Sequence, residues 1–401
     1  MPKSNKLHAA TLCAHLGRGD GEKPSFVNPP STRGSSYLYP SVQAYREGLS
    51  SPNTPQKLAY GRYGSQTTRE LEAAVAHLDG AFGAMITSSG FSAISTAIMA
   101  FIGSGDHILM ADTVYAPTRI FGEKTLKRFN VEASFYSADI STPIEEIEAL
   151  IQPNTKLIFL ESPGSITFEI QDIQAIITLA KKHNIVTIMD NTWATSIHYP
   201  AIENGIHVSI QAATKYIGGH SDLMMGIITT DEAHWPAVRQ SYIEFGHSPG
   251  TEETMLALRG LRTLECRLKQ QGESALNIAH WLEEQDEVDE LFFPAMPSSP
   301  YHALFNAQFK GTSSLFAFTL KTDNQTAVAA MLDTLSIISI GESWAGFESL
   351  ILPLDPSNLR TAKPWKPTGQ LIRLAVGLEH PDDLINDLDA GFTRLNAALT
   401  T

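Results

Sequence analysis

Short, mostly apolar runs that end in polar residues recur through the first half of the chain, with stretches of helical spacing between them. Ala84-Met85-Ile86 leads to Thr87-Ser88-Ser89-Gly90, and Ile108-Leu109-Met110-Ala111 leads to Asp112-Thr113-Val114-Tyr115. Further on, Leu157-Ile158-Phe159-Leu160 runs into Glu161-Ser162-Pro163-Gly164-Ser165, and Ile185 to Met189 runs into Asp190-Asn191-Thr192-Trp193. Apolar runs of this kind suit strands buried on both faces, and strands alternating with helices form a mostly parallel sheet covered by helices. The expected fold class is therefore α/β. Ligands of such open sheets gather beyond the carboxyl ends of the strands, which directs Ser89, Tyr115, Ser165 and Asp190 to one crevice.

The segments between the runs fit this frame. From Thr67 the apolar residues Leu71, Ala74, Val75 and Leu78 recur at helical spacing until Gly80, and Phe91 to Ile98 reads as a buried helix. A short strand is expected near Val131–Tyr136. The start of the Phe91 helix makes Ser89 and Gly90 a phosphate-site candidate, because a helix start offers unpaired N–H groups; a plain N-cap is the competing reading for Ser89. Tyr115, at a strand exit, either covers a flat heteroaromatic ligand or packs. Asp190, ending an apolar strand, either faces a protonated ring nitrogen or caps the next helix.

One helix-strand unit later comes Gln211-Ala212-Ala213-Thr214-Lys215-Tyr216-Ile217-Gly218-Gly219. A lysine forms a Schiff base only when its amine is neutral, and desolvation or a nearby cation favours that state. A surface lysine after a strand competes with this reading until the order of the other features is considered. Phosphate donors, a ring-stacking tyrosine, a strand-end aspartate and a glycine-flanked lysine together meet the needs of pyridoxal phosphate. Upstream, in a segment rich in turn formers, Tyr60-Gly61-Arg62 reads as extended backbone that directs Tyr60 and Arg62 to the same side, where both suit a phosphate. An ordinary polar loop is the alternative there.

Longer motifs identify a family. Tyr60-Gly61-Arg62, Glu161 to Thr167, Asp190 to Trp193, the Lys215 stretch, Ser343-Trp344-Ala345-Gly346-Phe347-Glu348-Ser349-Leu350 and Leu371-Ile372-Arg373-Leu374 resemble the Cys/Met-metabolism family of pyridoxal phosphate enzymes, and its bacterial cystathionine beta-lyase branch in particular. The resemblance runs from about Leu58 to Phe392. It implies an aspartate-aminotransferase-like (fold type I) large domain with a mostly parallel seven-stranded sheet, plus a smaller α+β C-terminal domain. The implied division is 1–64, an arm contacting the neighbouring subunit; 65–261, the cofactor domain; and 262–401, the C-terminal domain.

The same resemblance implies residue roles. Lys215 would carry pyridoxal phosphate as a Schiff base and shuttle protons, Asp190 would pair with the pyridine nitrogen, and Tyr115 would stack on the ring and take part in catalysis. Ser89, the Gly90 and Phe91 amides and Thr214 would hold the phosphate, joined by Tyr60 and Arg62 from the partner of a dimer that pairs into a tetramer. Tyr60 would also act in catalysis. Arg373, Ser343 and Trp344 would bind the substrate, with Arg373 and Ser343 on its α-carboxylate. The implied reaction is β-elimination from cystathionine to homocysteine, pyruvate and ammonia in methionine biosynthesis, with cystine or cysteine as further substrates. Gamma-lyases and gamma-synthases are the nearest alternative. Ser165 and Trp193 stand where many gamma-acting relatives have asparagine and phenylalanine. Ala212 replaces a serine common in relatives, and Glu342 stands where well-known beta-lyases have tyrosine.

Composition limits the other options. A chain of 401 residues outgrows a single core, and a formal charge of −14 opposes contact with nucleic acid or anionic membranes. Cys13 and Cys266 form no CxxC motif, Met1 to Gly21 lacks an apolar signal core, and no metal site is expected. These features point to the cytoplasm. Gly246-His247-Ser248-Pro249-Gly250 fits the G-x-S-x-G pattern of serine hydrolases, but Pro249 has no N–H for the oxyanion site that pattern needs. His220-Ser221-Asp222 spells a triad in consecutive residues, whereas working triads are assembled from distant ones.

Overall fold

The computed structural model of the chain describes residues 7–18, 26–49, 54–55, 58–366 and 368–400. Its larger sheet contains β1 (Gly83–Thr87), β2 (His107–Ala111), β3 (Glu132–Tyr136), β4 (Thr155–Glu161), β5 (Val186–Asp190), β6 (Val208–Ala212) and β7 (Gly226–Thr230). The order is β1-β7-β6-β5-β4-β2-β3, with seven strands as expected. Every residue of β1 and β2 is buried, so both faces of the sheet are covered, as their unbroken apolar runs require. Only β7 is reversed, pairing antiparallel with both β1 and β6. No crossover helix lies between Ala212 and Gly226, so the chain returns antiparallel. That return carries Lys215.

The expected helix after Thr67 spans Gln66–Asp79. Ser65 and Thr68 form a reciprocal capping box at its start, and Gly80 closes it at φ 66°, a left-handed conformation that glycine adopts without strain. Leu71, Ala74 and Val75 form its buried face.

The helix Thr251–Leu261 is followed by Leu264–Glu283, which packs on a second sheet. This sheet comprises β8 (Val288–Phe292), β9 (Leu315–Leu320), β10 (Ser339–Ile340), β11 (Leu350–Leu354) and β12 (Leu371–Ala375), ordered β10-β11-β12-β9-β8. The shortest of these, β10, has only two residues. Trp193 joins the two sheets. Its indole N–H donates to the Leu315 carbonyl at 3.0 Å, and its ring meets Phe305 edge-on at 6.2 Å.

The arm differs from its sequence reading. Its described residues contain the helices Ala9–His15 and Val42–Leu49, the first of which buries Cys13. Ala9, Ala10 and Leu12 are good helix formers, and that local propensity prevails over the turn-rich character of the wider segment. Residues 1–6, 19–25, 50–53 and 56–57, which include parts of the turn-rich segment, lie outside the described residues. Among the described residues no helix is long and apolar enough to cross a membrane.

Candidate active site

Lys215 lies in the turn that follows β6. The turn is held by the Lys215 N–H on the Ala212 carbonyl at 3.0 Å and the Gly219 N–H on the Lys215 carbonyl at 2.7 Å. Gly219 is at φ 69°, and a Cβ there would lie 1.9 Å from Arg267 Nη1, so both backbone and space require glycine. The Lys215 ammonium donates to Ser343 Oγ at 2.5 Å and lies 5.2 Å from the centre of the Trp344 ring. Burial first, then the Arg373 charge, lower its pKa to about 8, against opposing pulls from Glu342 and Asp190. The neutral amine is thus accessible near physiological pH.

Asp190 ends β5 one strand away. Its Oδ1 accepts the Thr192 N–H at 3.0 Å and the Thr192 hydroxyl at 2.6 Å, while Thr192 Oγ1 in turn accepts the Ala212 N–H at 2.9 Å. This relay through Thr192 ties the aspartate to the end of the lysine strand. Asp190 is no helix cap, because the following helix Thr195–His198 is preceded by Ala194. Its Oδ2 has no protein partner among the described residues. Burial raises the Asp190 pKa and the Thr192 bonds moderate the rise, so the carboxylate gains from a cation placed against it. Glu161 pairs in register with Asp190 and accepts the Tyr115 N–H at 2.7 Å. Burial and the neighbouring Asp190 raise the Glu161 pKa well above normal. Tyr115 is 46% exposed, with a ring available to a ligand.

At the phosphate candidate, both readings of Ser89 have support. Its hydroxyl accepts the Ser92 N–H at 3.1 Å in a capping box. The next backbone bond runs from Ala93 N–H to the Ser89 carbonyl, which leaves the Gly90 and Phe91 N–H groups at the open end of the helix Gly90–Met99. Gly90 also permits close approach: a Cβ there would lie 2.7 Å from the Ala212 Cβ. Thr214 Oγ1 bridges to Met225, accepting its N–H at 3.0 Å and donating to its carbonyl at 3.2 Å, which clamps the two ends of the lysine loop.

Ser343, Trp344 and Arg373 come from the smaller domain. Ser343 and Ala345 have φ of 81° and 69°, conformations that cost non-glycine residues energy and recur at functional sites. Buried Gln271 braces the loop by donating to the Gly346 carbonyl at 2.7 Å. Arg373, on β12 between buried Ile372 and Leu374, faces the other way and donates to the Ser343 carbonyl at 3.3 Å. Glu342, largely exposed, reaches to 3.8 Å from its guanidinium.

The chain thus brings Lys215, Ser343, Trp344 and Arg373 together, with Asp190 close enough to act on the lysine charge. Tyr60 and Arg62 belong to a different neighbourhood within the chain. The extended reading of this stretch is corrected: Gly61–Tyr63 is a 3-10 turn. A Cβ on Gly61 would lie 2.1 Å from the Gly34 carbonyl, so the backbone folds tightly against the preceding segment. Arg62 donates to the Ile243 carbonyl at 2.7 Å and stands over the Tyr63 ring, while Tyr60 is exposed.

Thr192, Glu161 and Arg360 have no role in the sequence reading. Buried Arg360 donates to the Asp112 carbonyl at 3.0 Å, the Ser165 carbonyl at 2.9 Å and the Thr167 hydroxyl at 2.8 Å. Asp112 meanwhile holds Arg119 at 2.7 Å and accepts the Thr361 and Ala362 N–H groups. These bonds fasten the two domains beside Tyr115 and Ser165. The serine-hydrolase pattern assembles nothing comparable. Ser248 is exposed in the turn before Thr251–Leu261, and His247 is engaged with Thr96 Oγ1 at 2.7 Å. His220 contacts the Gly218 carbonyl and Ser221 contacts Glu348, so they form no triad. Among the described residues no cluster suits a metal ion.

An amine with a lowered pKa, a buried carboxylate with an open oxygen, an exposed tyrosine ring and an open helix start fit pyridoxal phosphate. The comparisons agree. Residues 10–393 match the model of the Cys/Met metabolism PLP-dependent enzymes. A putative cystathionine beta-lyase of Rhizobium johnstonii is 39% identical over 96% of each chain, and the cystathionine beta-lyase of Escherichia coli is 39% identical over 96% of this chain and 98% of its own. The crystal structure of metB from Corynebacterium glutamicum superposes with a TM-score of 0.88 at 26% identity, covering 98% of this chain and 99% of that one. Fold, site and relatives converge on one assignment: the chain belongs to the Cys/Met metabolism PLP-dependent enzymes, with pyridoxal phosphate as its cofactor.

Proposed function

We propose that the chain is a carbon–sulfur lyase that cleaves cystathionine by β-elimination to homocysteine, pyruvate and ammonia, with cystine or cysteine as further substrates. The observation that carries this reading is the Lys215 amine, held 2.5 Å from Ser343 beside the Arg373 guanidinium and lowered to about pKa 8. The similarity to named cystathionine beta-lyases over nearly the whole chain supports the substrate. When bound, the cofactor supplies an electron sink for the charge that develops at the substrate Cα.

The protein's residues then divide the work. Arg373 receives the α-carboxylate through its planar fork, with Ser343 beside it. That places Cα near Lys215 Nζ, which takes the Cα proton and returns it to the departing sulfur. Asp190, braced by Thr192, would hold the positive charge of the ring nitrogen. Tyr115 covers the ring and Trp344 walls the substrate side, both excluding water. The Gly90 and Phe91 N–H groups and the Ser89 hydroxyl would hold the phosphate, joined by the Thr214 hydroxyl once its hydrogen turns from the Met225 carbonyl to a phosphate oxygen.

Residues 65–261 form the cofactor domain in this reading, residues 262–401 the smaller one, and the arm 1–64 gives Tyr60 and Arg62 to a neighbouring subunit in a dimer of dimers. Arg62 supports that donation, because its partners within the chain are a carbonyl and a tyrosine rather than an anion. A cytoplasmic location is consistent with free Cys13 and Cys266. The deciding experiment identifies the oxo acid released from cystathionine by the purified holoenzyme. Pyruvate is expected; 2-oxobutyrate would replace this reading with that of a cystathionine gamma-lyase, a gamma-synthase or a methionine gamma-lyase.

A further inference from the structure

A cavity of about 230 Å³ lies between the two domains, beyond the carboxyl ends of β2 and β3. Its large-domain wall is formed by Asp112 and Thr113, the residues 137–139 after β3, and the loop 167–169. The smaller domain contributes the end of β8 with the residues just after it, residues 299–301, Arg360 and residues 363–365. None of Lys215, Asp190, Ser343 or Arg373 lines it. The volume is below the roughly 300–1,000 Å³ of sites for drug-sized ligands, so the occupant is small.

The lining holds unused hydrogen-bonding groups of both kinds. Arg360 Nε and Trp365 Nε1 are buried donors without a partner, and so is the Thr113 hydroxyl. Arg360 is 7% exposed and Thr113 3% exposed, so leaving these groups unsatisfied costs stability unless something else reaches them. Opposite in charge is Glu169. It accepts the Thr167 hydroxyl at 2.6 Å and has no ion-pair partner within 4.0 Å among the described residues. The other charged pair of the lining, Lys363 and Asp139, is already joined at 2.5 Å. Between donors and acceptor the walls are aromatic: Phe168 is buried, and Phe292 and Trp365 meet with ring centres 5.2 Å apart.

Two free N–H donors, the partly buried carboxylate of Glu169, the exposed carboxylate of Glu290 and an aromatic wall are complementary to a small zwitterion with an apolar body. We infer that this interdomain cavity is a second binding site, for a free α-amino acid with an apolar side chain. Its carboxylate is received by Arg360 Nε and Trp365 Nε1, its ammonium by Glu169, and its side chain by Phe168 and Phe292. A simple amine would leave the donors unused, and a simple carboxylic acid would leave Glu169 unpaired. Arg360 connects this site to the lyase centre, since the same guanidinium holds the carbonyls of Asp112 and Ser165.

The test uses holoenzyme reduced with borohydride, which fixes the cofactor to Lys215 and denies amino acids that site; loss of the visible absorbance verifies the reduction independently of which thioether is the substrate. Norleucine, hexylamine and hexanoate are titrated by calorimetry. Norleucine should bind once per chain, and each half-ligand should bind roughly 10- to 100-fold more weakly, the effect of losing a hydrogen bond to a charged group. Trp365→Phe, which keeps the ring but removes its N–H, and Glu169→Gln should each weaken norleucine by a similar factor while turnover of the unreduced enzyme is unchanged. Absence of norleucine binding, binding that survives both substitutions, or hexylamine binding equal to norleucine would overturn the inference.

Discussion

Asp190 and Thr192 stand at the end of a buried parallel strand, whereas Ser343 and Trp344 stand in a loop between short strands of the smaller sheet. The first pair is positioned by regular geometry: β5 runs in register with β4 and β6, and a relay of hydrogen bonds runs from Asp190 through Thr192 to Ala212. The loop is positioned against local preference, with left-handed backbone at Ser343 and Ala345 and a brace from Gln271. The large sheet therefore supplies a rigid floor for the cofactor. The smaller domain supplies a wall whose shape depends on tertiary contacts, and substrate choice is the property such a wall can vary at least cost to the fold.

Lys215 touches both regions, so its replacement gives the largest effect. Lys215→Met should lower turnover by about ten-thousand-fold, the upper range for loss of a general acid–base group, in a steady-state assay with saturating cofactor. The same variant, without cofactor, also probes stability. The folded-state pKa of Lys215 is about 8, below the ordinary 10.5, so the folded chain is penalised fully wherever both states hold the proton, below about pH 8. Between about 8 and 10.5 the unfolded state binds more protons, and stability rises with pH. Lys215→Met should therefore gain most over the parent at neutral pH and lose that advantage across this window in denaturant titrations. A constant difference would break the assignment of a desolvated amine.

Arg373→Lys probes the wall. It keeps the charge but removes the planar fork, so KM should rise roughly 10- to 100-fold with a smaller change in kcat; an equal fall in kcat alone would place Arg373 in the chemical step instead. Thr192→Val probes the floor and should have the smallest effect on turnover. It removes the hydroxyl bond to Asp190 Oδ1, which keeps only the Thr192 N–H, and leaves the Ala212 N–H without its partner, at a cost of about 1–3 kcal/mol in unfolding free energy. A neutral result would show that the floor does not need this brace.

The same contrast explains what was legible in the sequence. β1, β2, β4 and β5 announce themselves as apolar runs because burial on both faces leaves no alternative pattern, and their last residues mark the crevice. Lys215, Asp190 and Tyr115 are readable for that reason. Thr192 is not, because a threonine two residues after an aspartate resembles any turn, and its bond to Ala212 crosses between strands. Arg360 and Glu161 are likewise silent, since their partners lie far along the chain or on an adjacent strand. The Tyr60–Arg62 segment reads as extended in the sequence because nothing local reports that Gly61 must pass against the Gly34 carbonyl.

The contact between Gly90 and Ala212 has a mechanical consequence. A methyl group added to Gly90 would come within 2.7 Å of the Ala212 Cβ, so the helix start and the lysine strand are separated by little more than one hydrogen atom. The two points assigned to opposite ends of the cofactor in the proposed site thus form a calliper with a fixed gap. Any side chain larger than alanine at position 212 must turn away from Gly90 or else reset the span between phosphate and amine, which makes that pair a gauge for the length of ligand the site accepts.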